Sequence, residues 1–221
     1  MNIILVGASG LVGQGVLIEC LLDPRVGSVL SLGRSPSGRN GPNLTEVLHA
    51  DLCDLTAIED QLRGKDACFY CAGAGIVGTS LVDYRRVTFD MTLHVAQTLA
   101  RLNPGMTFVY VSGAGSDPRS PVPWLRIKGE IEQALQALPL RAVMFRAGGV
   151  RPVKDVRSRH GWLQAAYTFG APALAMAARY LPQTFTTTER MGRAMIEMAS
   201  QNDPSPVLVD NAKINRLAGG N

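Results

Sequence analysis

The sequence predicts an α/β fold, a doubly wound parallel sheet with a small helical C-terminal cap. Two observations carry this. Short apolar runs alternate with helix-period stretches through the first two thirds of the chain, the order of βαβ units. Turns of glycine and other small residues then follow the runs directly, at Gly7–Gly13, Ala72–Gly75 and Ser112–Gly115, at the strand ends where such sheets hold ligands.

Taken in order, Asn2–Val6 is the first strand, and an apolar helix face begins at Val16 with Leu17, Cys20 and Leu21. Asp23-Pro24-Arg25 and Gly27 turn the chain into a second strand, Ser28–Leu32, which ends at Gly33-Arg34-Ser35. Pro36 to Pro42 is a polar loop, and Leu44–Ala50 a third strand ending at Asp51-Leu52. Thr56-x-x-Glu59 has the spacing of a capping box for a short helix to Leu62. Ala67–Cys71 is the fourth strand and Leu81–Leu102 a long helix, stopped by Asn103-Pro104-Gly105. Met106–Val111, a helix from Pro121 and Pro123 to about Leu138, and Leu140–Phe145 complete the run. From Gly148 the character changes. Arg151, Lys154, Arg157, Arg159 and His160 crowd a short loop, and apolar helical pieces follow. Thr186-Thr187-Thr188-Glu189 leads a helix to about Ser200, Pro206–Val209 is a last strand, and Asn211–Asn221 reads as a poorly packed tail. Residues 1–221 form one domain, with 150–190 as a cap within it.

The first turn has chemistry in it. In Gly7-Ala8-Ser9-Gly10-Leu11-Val12-Gly13 each glycine has its own task. Gly7 lets the chain leave the strand tightly, Gly10 leaves bare backbone for a pyrophosphate, and Gly13 lets the helix pack close to the sheet. The first-turn amides of that helix, with the positive end of its dipole behind them, attract phosphate. Between a strand and a helix, this pattern points to a dinucleotide. Arg34 stands about 20 residues beyond Gly13, where an NAD site carries an acid for the ribose hydroxyls. A planar guanidinium there suits a 2′-phosphate, so NADP is favoured over NAD, with Ser35 and Arg39 as helpers.

Composition narrows the class. The 221 residues are 46% hydrophobic and 18% charged, with a net charge of +4. That is enough apolar content for a real core, and too little charge to argue for nucleic acid. Cys20, Cys53, Cys68 and Cys71 read as reduced thiols. Cys68 and Cys71 are three apart on a strand and so face opposite sides, which argues against a metal or redox pair. Met1 leads straight into a strand, and the apolar stretch Trp162–Leu181 is interrupted by Gly170 and Pro172, so a cytoplasmic protein without membrane attachment is expected. No metal site is expected.

The glycine turn, Asp51-Leu52, Cys71-Ala72-Gly73, the strand ending at Ser112, Lys128 and Arg146-Ala147-Gly148 together resemble the atypical and extended short-chain dehydrogenase/reductases, which have a Rossmann-like fold. Gly33-Arg34 and Lys128-Gly129-Glu130 are similar to the Tat-interacting-protein branch of that family. The resemblance spans about residues 1 to 200. It implies that Gly7, Ser9, Gly10, Leu11, Val12 and Gly13 line the pyrophosphate and that Arg34 takes the 2′-phosphate. Asp51 and Leu52 would flank the adenine, and Ala72 and Gly73 would lie under the adenosine ribose. Lys128 would hold the nicotinamide ribose, and Gly148 and Val150 would approach the carboxamide.

The catalytic positions depart from that pattern. The family's tyrosine, four residues before the lysine, is Trp124 here, and an indole cannot give up a proton usefully. The family's serine falls near Gly113 or Ala114. Ser112 is adjacent, and neighbouring strand residues face opposite sides. Ser116 is the other hydroxyl within reach, and Tyr84 and Tyr110 are the remaining phenols. Tyr110 reads as a core residue, while Tyr84 begins the long helix, where it could overhang the nicotinamide. Three functions follow in order. The first is an NADP-dependent carbonyl oxidoreductase with a degenerate active site, in which Lys128 or a water is the acid and Ser112 the polarising hydroxyl. The second is a non-catalytic NADP-binding sensor or regulator, and the third a nucleotide-sugar epimerase or dehydratase. The expected partner is a small-molecule substrate or none. Oligomeric state is left open.

Overall fold

The computed structural model describes residues 1–153, 156, 184–201 and 207–219. The chain forms β1 (Asn2–Val6), α1 (Leu11–Leu22), β2 (Ser28–Gly33) and β3 (Leu44–Leu48). A short 3₁₀ turn at Thr56–Ile58 leads into α2 (Glu59–Leu62), followed by β4 (Ala67–Tyr70). Then come α3 (Leu81–Arg85), a π-helical turn at Arg86–Asp90, α4 (Met91–Leu102), β5 (Thr107–Gly113), α5 (Pro123–Gln136) and β6 (Arg141–Ala147). The last part holds β7 (Gly149–Arg151), β8 (Phe185–Thr187), α6 (Thr188–Ser200), β9 (Val207–Asp210) and α7 (Asn211–Ala218).

Seven strands pair in parallel in the order β3-β2-β1-β4-β5-β6-β9. The order reverses at β1, so a crevice opens beyond its carboxyl end, next to that of β4. The strands are continuous apolar runs because both faces are covered. One face packs Val6, Tyr70, Phe108 and Tyr110 under Val95 and Leu99 of α4 and Ile131 and Leu135 of α5. The other packs Ile3, Leu5, Phe69 and Phe145 under Val16 and Leu17 of α1 and Met191 and Met195 of α6. Cys68 lies on the first face and Cys71 packs against the second, and both are free thiols.

Four sequence expectations are revised. Leu81–Leu102 is broken by the π-helical turn. Thr56 does not cap its helix, since Asp54 Oδ1 instead accepts from the Thr56 amide at 3.0 Å. The tail is not loose. Asp210 Oδ1 caps α7 by accepting from the Lys213 amide at 2.8 Å, and Asn211 and Ile214 are buried. Finally, β7 and β8 form an unanticipated two-stranded parallel sheet. Lys154, Arg157, Arg159 and His160 of the basic loop, and the helical pieces over 162–181, lie outside the described residues. Among the described residues no helix is long and apolar enough to cross a membrane, and no His, Cys, Asp and Glu cluster could hold a metal.

Candidate functional site

The glycine turn is built by close packing on two sides. Gly7 has φ +86°, and a Cβ there would stand 2.6 Å from the Ala72 amide nitrogen, so the turn after β1 touches the turn after β4. A Cβ on Gly13 would stand 2.1 Å from the Gly7 carbonyl oxygen. Only glycine fits either place. Gly10 differs. It is the N-cap of α1 with φ −80°, and a Cβ there would be 3.4 Å from the nearest atom, the Gly7 oxygen. No side chain caps α1, and its first turn carries no acid. The helix thus presents bare amides and positive dipole to the crevice, a fit for phosphate. Ser9 adds a half-buried hydroxyl.

Arg34 is exposed just beyond the end of β2, and among the described residues no carboxylate pairs with it. Asp51 is exposed and accepts from the Cys53 amide at 2.9 Å. Leu52 is only 4% exposed and belongs to the core, so little of its side chain is left for a ligand. Gly73 is exposed, with open space where a Cβ would point.

Ser112 and Ser116 are both buried, and their Oγ atoms are 3.0 Å apart. Ser116 donates to the Gly113 carbonyl at 2.7 Å. A hydroxyl has one proton, so Ser112 is the donor to Ser116 and its own lone pairs stay open. Alternation along β5 puts Ser112 on the Tyr110 face. That is the face under α5, so Ser112 points toward the helix carrying Lys128. Lys128 Nζ sits 5.5 Å from the Tyr110 ring centroid and donates to the Val111 carbonyl at 3.4 Å. Desolvation pushes its pKa down to about 8, opposed by the charge of Glu132. Glu132 is itself held by Arg146, whose Nε and Nη2 reach its carboxylate at 3.1 and 2.6 Å. Lys128 therefore keeps its charge without a close carboxylate.

Trp124 stands one turn before Lys128 and is 38% exposed. Tyr84 does not overhang the site. It is 3% exposed, and burial raises its pKa, opposed by a hydrogen bond with Thr88. Tyr110 is core, and burial raises its pKa far above the usual value. Beyond β6, the Gly148 amide donates to Asn211 Oδ1 at 3.2 Å, and Asn215 Nδ2 donates to the Phe185 carbonyl at 2.9 Å. Asn211 thus pins the turn that leads to half-buried Val150, and Asn215 pins the start of β8, the strand paired with β7. Sequence reasoning missed both because it left their segment as a tail. The helically spaced apolar positions Ile214, Leu217 and Ala218 behind Asp210 were the available signal.

The NAD dependent epimerase/dehydratase family model matches residues 3–123. Protein fmp52, mitochondrial, of Emericella nidulans is 27% identical over 158 residues, covering 66% of this chain and 66% of that protein. Protein HTATIP2 of Rattus norvegicus is 26% identical over 204 residues, 90% of this chain and 83% of that one. Among solved structures, MoeE5 in complex with UDP-glucuronic acid and NAD superposes with a TM-score of 0.69 at 20% identity, covering 95% of this chain and 75% of that one. That likeness is one of fold. The expectation of a cytoplasmic protein is overturned, since the fmp52 relatives are named mitochondrial.

Proposed function

The chain belongs to the NAD dependent epimerase/dehydratase family, and from that premise we propose that it binds NADP(H) and reduces a carbonyl compound without the usual tyrosine. The residues fit the cofactor: a bare helix N-terminus at Gly10, an open backbone at Gly73, and an exposed guanidinium at Arg34. Gly7, Ser9, Gly10, Leu11, Val12 and Gly13 would hold the pyrophosphate and Arg34 the 2′-phosphate. Asp51, with the backbone of Leu52, would lie by the adenine, and Ala72 and Gly73 by its ribose. Lys128 would hold the nicotinamide ribose, and Gly148 and Val150 would face the carboxamide. A reduced nicotinamide, when bound, supplies a hydride to a carbonyl carbon.

The observation that carries the reductase reading is Lys128 standing over Tyr110, on the sheet face where Ser112 and Ser116 meet. Ser112 polarises the carbonyl by turning the proton it gives Ser116 toward the substrate oxygen. The ammonium of Lys128 attracts the oxygen as negative charge builds on it and gives it the proton. With a pKa near 8 it does so more readily than an ordinary lysine, and water restores the proton. Positioning supplies the rest of the rate. The test is NADPH oxidation by the purified protein across aldehydes, ketones and quinones. Turnover that disappears in Lys128→Met is the expected result, and no turnover with any carbonyl would defeat the reading.

One observation favours a second reading, a non-catalytic NADP-binding protein: Trp124, four residues before Lys128 where the resemblance would put the tyrosine, is 38% exposed. Trp124→Tyr separates the two. Turnover in the variant with none in the parent supports the binding protein, and turnover in the parent that the variant loses supports the reductase. Epimerase or dehydratase chemistry ranks below both, because it needs the same absent tyrosine.

A further inference from the structure

Arg151 closes β7, with its Nε buried and the residue as a whole half-buried. Among the described residues its guanidinium makes no hydrogen bond and no ion pair. Arg146, on the strand before it, holds Glu132, and Arg141 donates to the Met198 and Gln201 carbonyls. A cation lodged in protein without an acceptor costs stability, and such costs concentrate at functional sites.

The backbone under Arg151 is fixed. The Gly149 amide donates to the Thr184 carbonyl at 2.9 Å. A Cβ on Gly148 would stand 2.5 Å from that carbonyl oxygen, and one on Gly149 would stand 2.4 Å from the Phe185 ring. The two glycines thus let β7 lie against β8, with Arg151 opposite Thr187.

This strand crosses the candidate site. It starts beside the serine pair, since Ala147 faces Gly113 in the sheet and accepts from the Ala114 amide at 2.9 Å. Just past it, the Val153 amide donates to Thr188 Oγ1 at 3.3 Å. Thr188 in turn backs on α1, where a Cβ on Gly15 would stand 2.4 Å from Thr188 Cβ. Arg151 therefore lies between the reacting end and the helix that offers its amides to phosphate, at most about 14 Å along the chain from Ala147. Val150 packs into the core under α1 and α6, so alternation turns Arg151 the other way, off that core.

The cofactor leaves this cation unclaimed. In the proposed site the pyrophosphate has the α1 amides and the 2′-phosphate has Arg34. The nicotinamide end, where Val150 lies, carries no acidic group of its own. A planar guanidinium fork matches two oxygens of a carboxylate or a phosphate. We propose that the compound this site receives carries a carboxylate or a phosphate, seated on Arg151.

The proposal rests on the reductase reading, and its test reads binding, so the two fail separately. Protein labelled with nitrogen-15 and saturated with NADP⁺ is followed by NMR at the Nε–H signal that Arg151→Met lacks. Sodium benzoate, inorganic phosphate or uncharged benzamide is added at constant ionic strength. The expected result is a saturating shift with benzoate or phosphate, at least about tenfold tighter than with benzamide. The tighter of the two anions identifies the acidic group. NADPH affinity in Arg151→Met should stay within about twofold of wild type. A signal that neither anion moves overturns the proposal. So does NADPH affinity that falls at least about tenfold in the variant, because the cation then belongs to the pyrophosphate. Ligand-free Arg151→Met and Arg151→Gln both melting well below wild type also overturn it, because the guanidinium is then part of the packing. A saturating shift in protein that turns over no carbonyl keeps the seat and removes the reductase reading alone.

Discussion

Gly13→Ala and Gly10→Ala add the same methyl group three residues apart, and the structure predicts opposite consequences. At Gly13 the new Cβ would stand 2.1 Å from the Gly7 carbonyl oxygen, 2.8 Å from its carbon and 2.9 Å from Ala8 Cα. Carbon does not approach oxygen that closely, so helix and turn must part by about an ångström. The turn cannot yield easily. The Gly7 amide is bonded to the Leu32 carbonyl at 3.3 Å, and the back of Gly7 lies against Ala72. Overpacking of this kind costs about 1–3 kcal/mol, and each kcal/mol lowers Tm by roughly 2–4 °C in a chain of this size. Gly13→Ala should therefore melt roughly 2–12 °C below wild type. At Gly10 the Cβ meets its nearest atom at 3.4 Å with φ at −80°, so Tm should change by no more than about 2 °C. The methyl would instead occupy the bare backbone a pyrophosphate needs, and NADPH affinity should fall at least about tenfold. Differential scanning fluorimetry without ligand and calorimetric titration with NADPH measure the two effects. A Gly13→Ala protein that melts with wild type, or a Gly10→Ala protein that binds NADPH unchanged, would refute the reasoning.

Lys128→Met should stabilise the ligand-free protein at pH 7 while removing turnover. The folded pKa of Lys128 is about 8 against 10.5 for an ordinary lysine, so its charge opposes folding fully below pH 8. Between pH 8 and 10.5 the unfolded chain binds more protons and wild-type stability rises with pH. The variant's advantage in Tm should shrink over that window. Over the same pH rise through about 8, the wild-type reductase rate should fall as the ammonium is lost. Arg146→Met strands Glu132, whose side chain is 4% exposed, and should cost roughly 3–5 kcal/mol in denaturant unfolding. Adding Glu132→Leu should recover much of that, and a single variant no less stable than wild type would sink the argument.

The sheet was legible because its signal is local. A strand buried on both faces is an apolar run wherever it occurs, and Asn2–Val6, Ser28–Leu32 and Leu140–Phe145 fall within a residue or two of β1, β2 and β6. What needed the fold was contact at long range. The π-helical turn at Arg86–Asp90 lies inside a stretch whose apolar spacing reads as unbroken helix. Tyr84 looked able to reach a ligand, and its 3% exposure follows from how α3 meets α5, which spacing does not encode. Alternation gave Ser112 a direction only once Tyr110 was placed on the face under α5, and its hydrogen bond with Ser116 needed the turn at Gly113. Asn211 was unreadable because its partner, the Gly148 amide, is more than sixty residues away. The glycine turn, by contrast, depends on neighbours a few residues off or one strand over, and it stands at the crevice.

The central claim is that the turn from Gly7 to Gly13 and the arginine after β2 form one NADP(H) site. Calorimetric titration of wild type and Arg34→Ala with NADPH and with NADH tests it most directly. A charge-assisted phosphate contact predicts NADPH binding roughly ten- to a hundredfold tighter than NADH in wild type, with that margin lost in Arg34→Ala and NADH affinity unchanged. Equal or tighter binding of NADH to the wild-type protein would contradict the account.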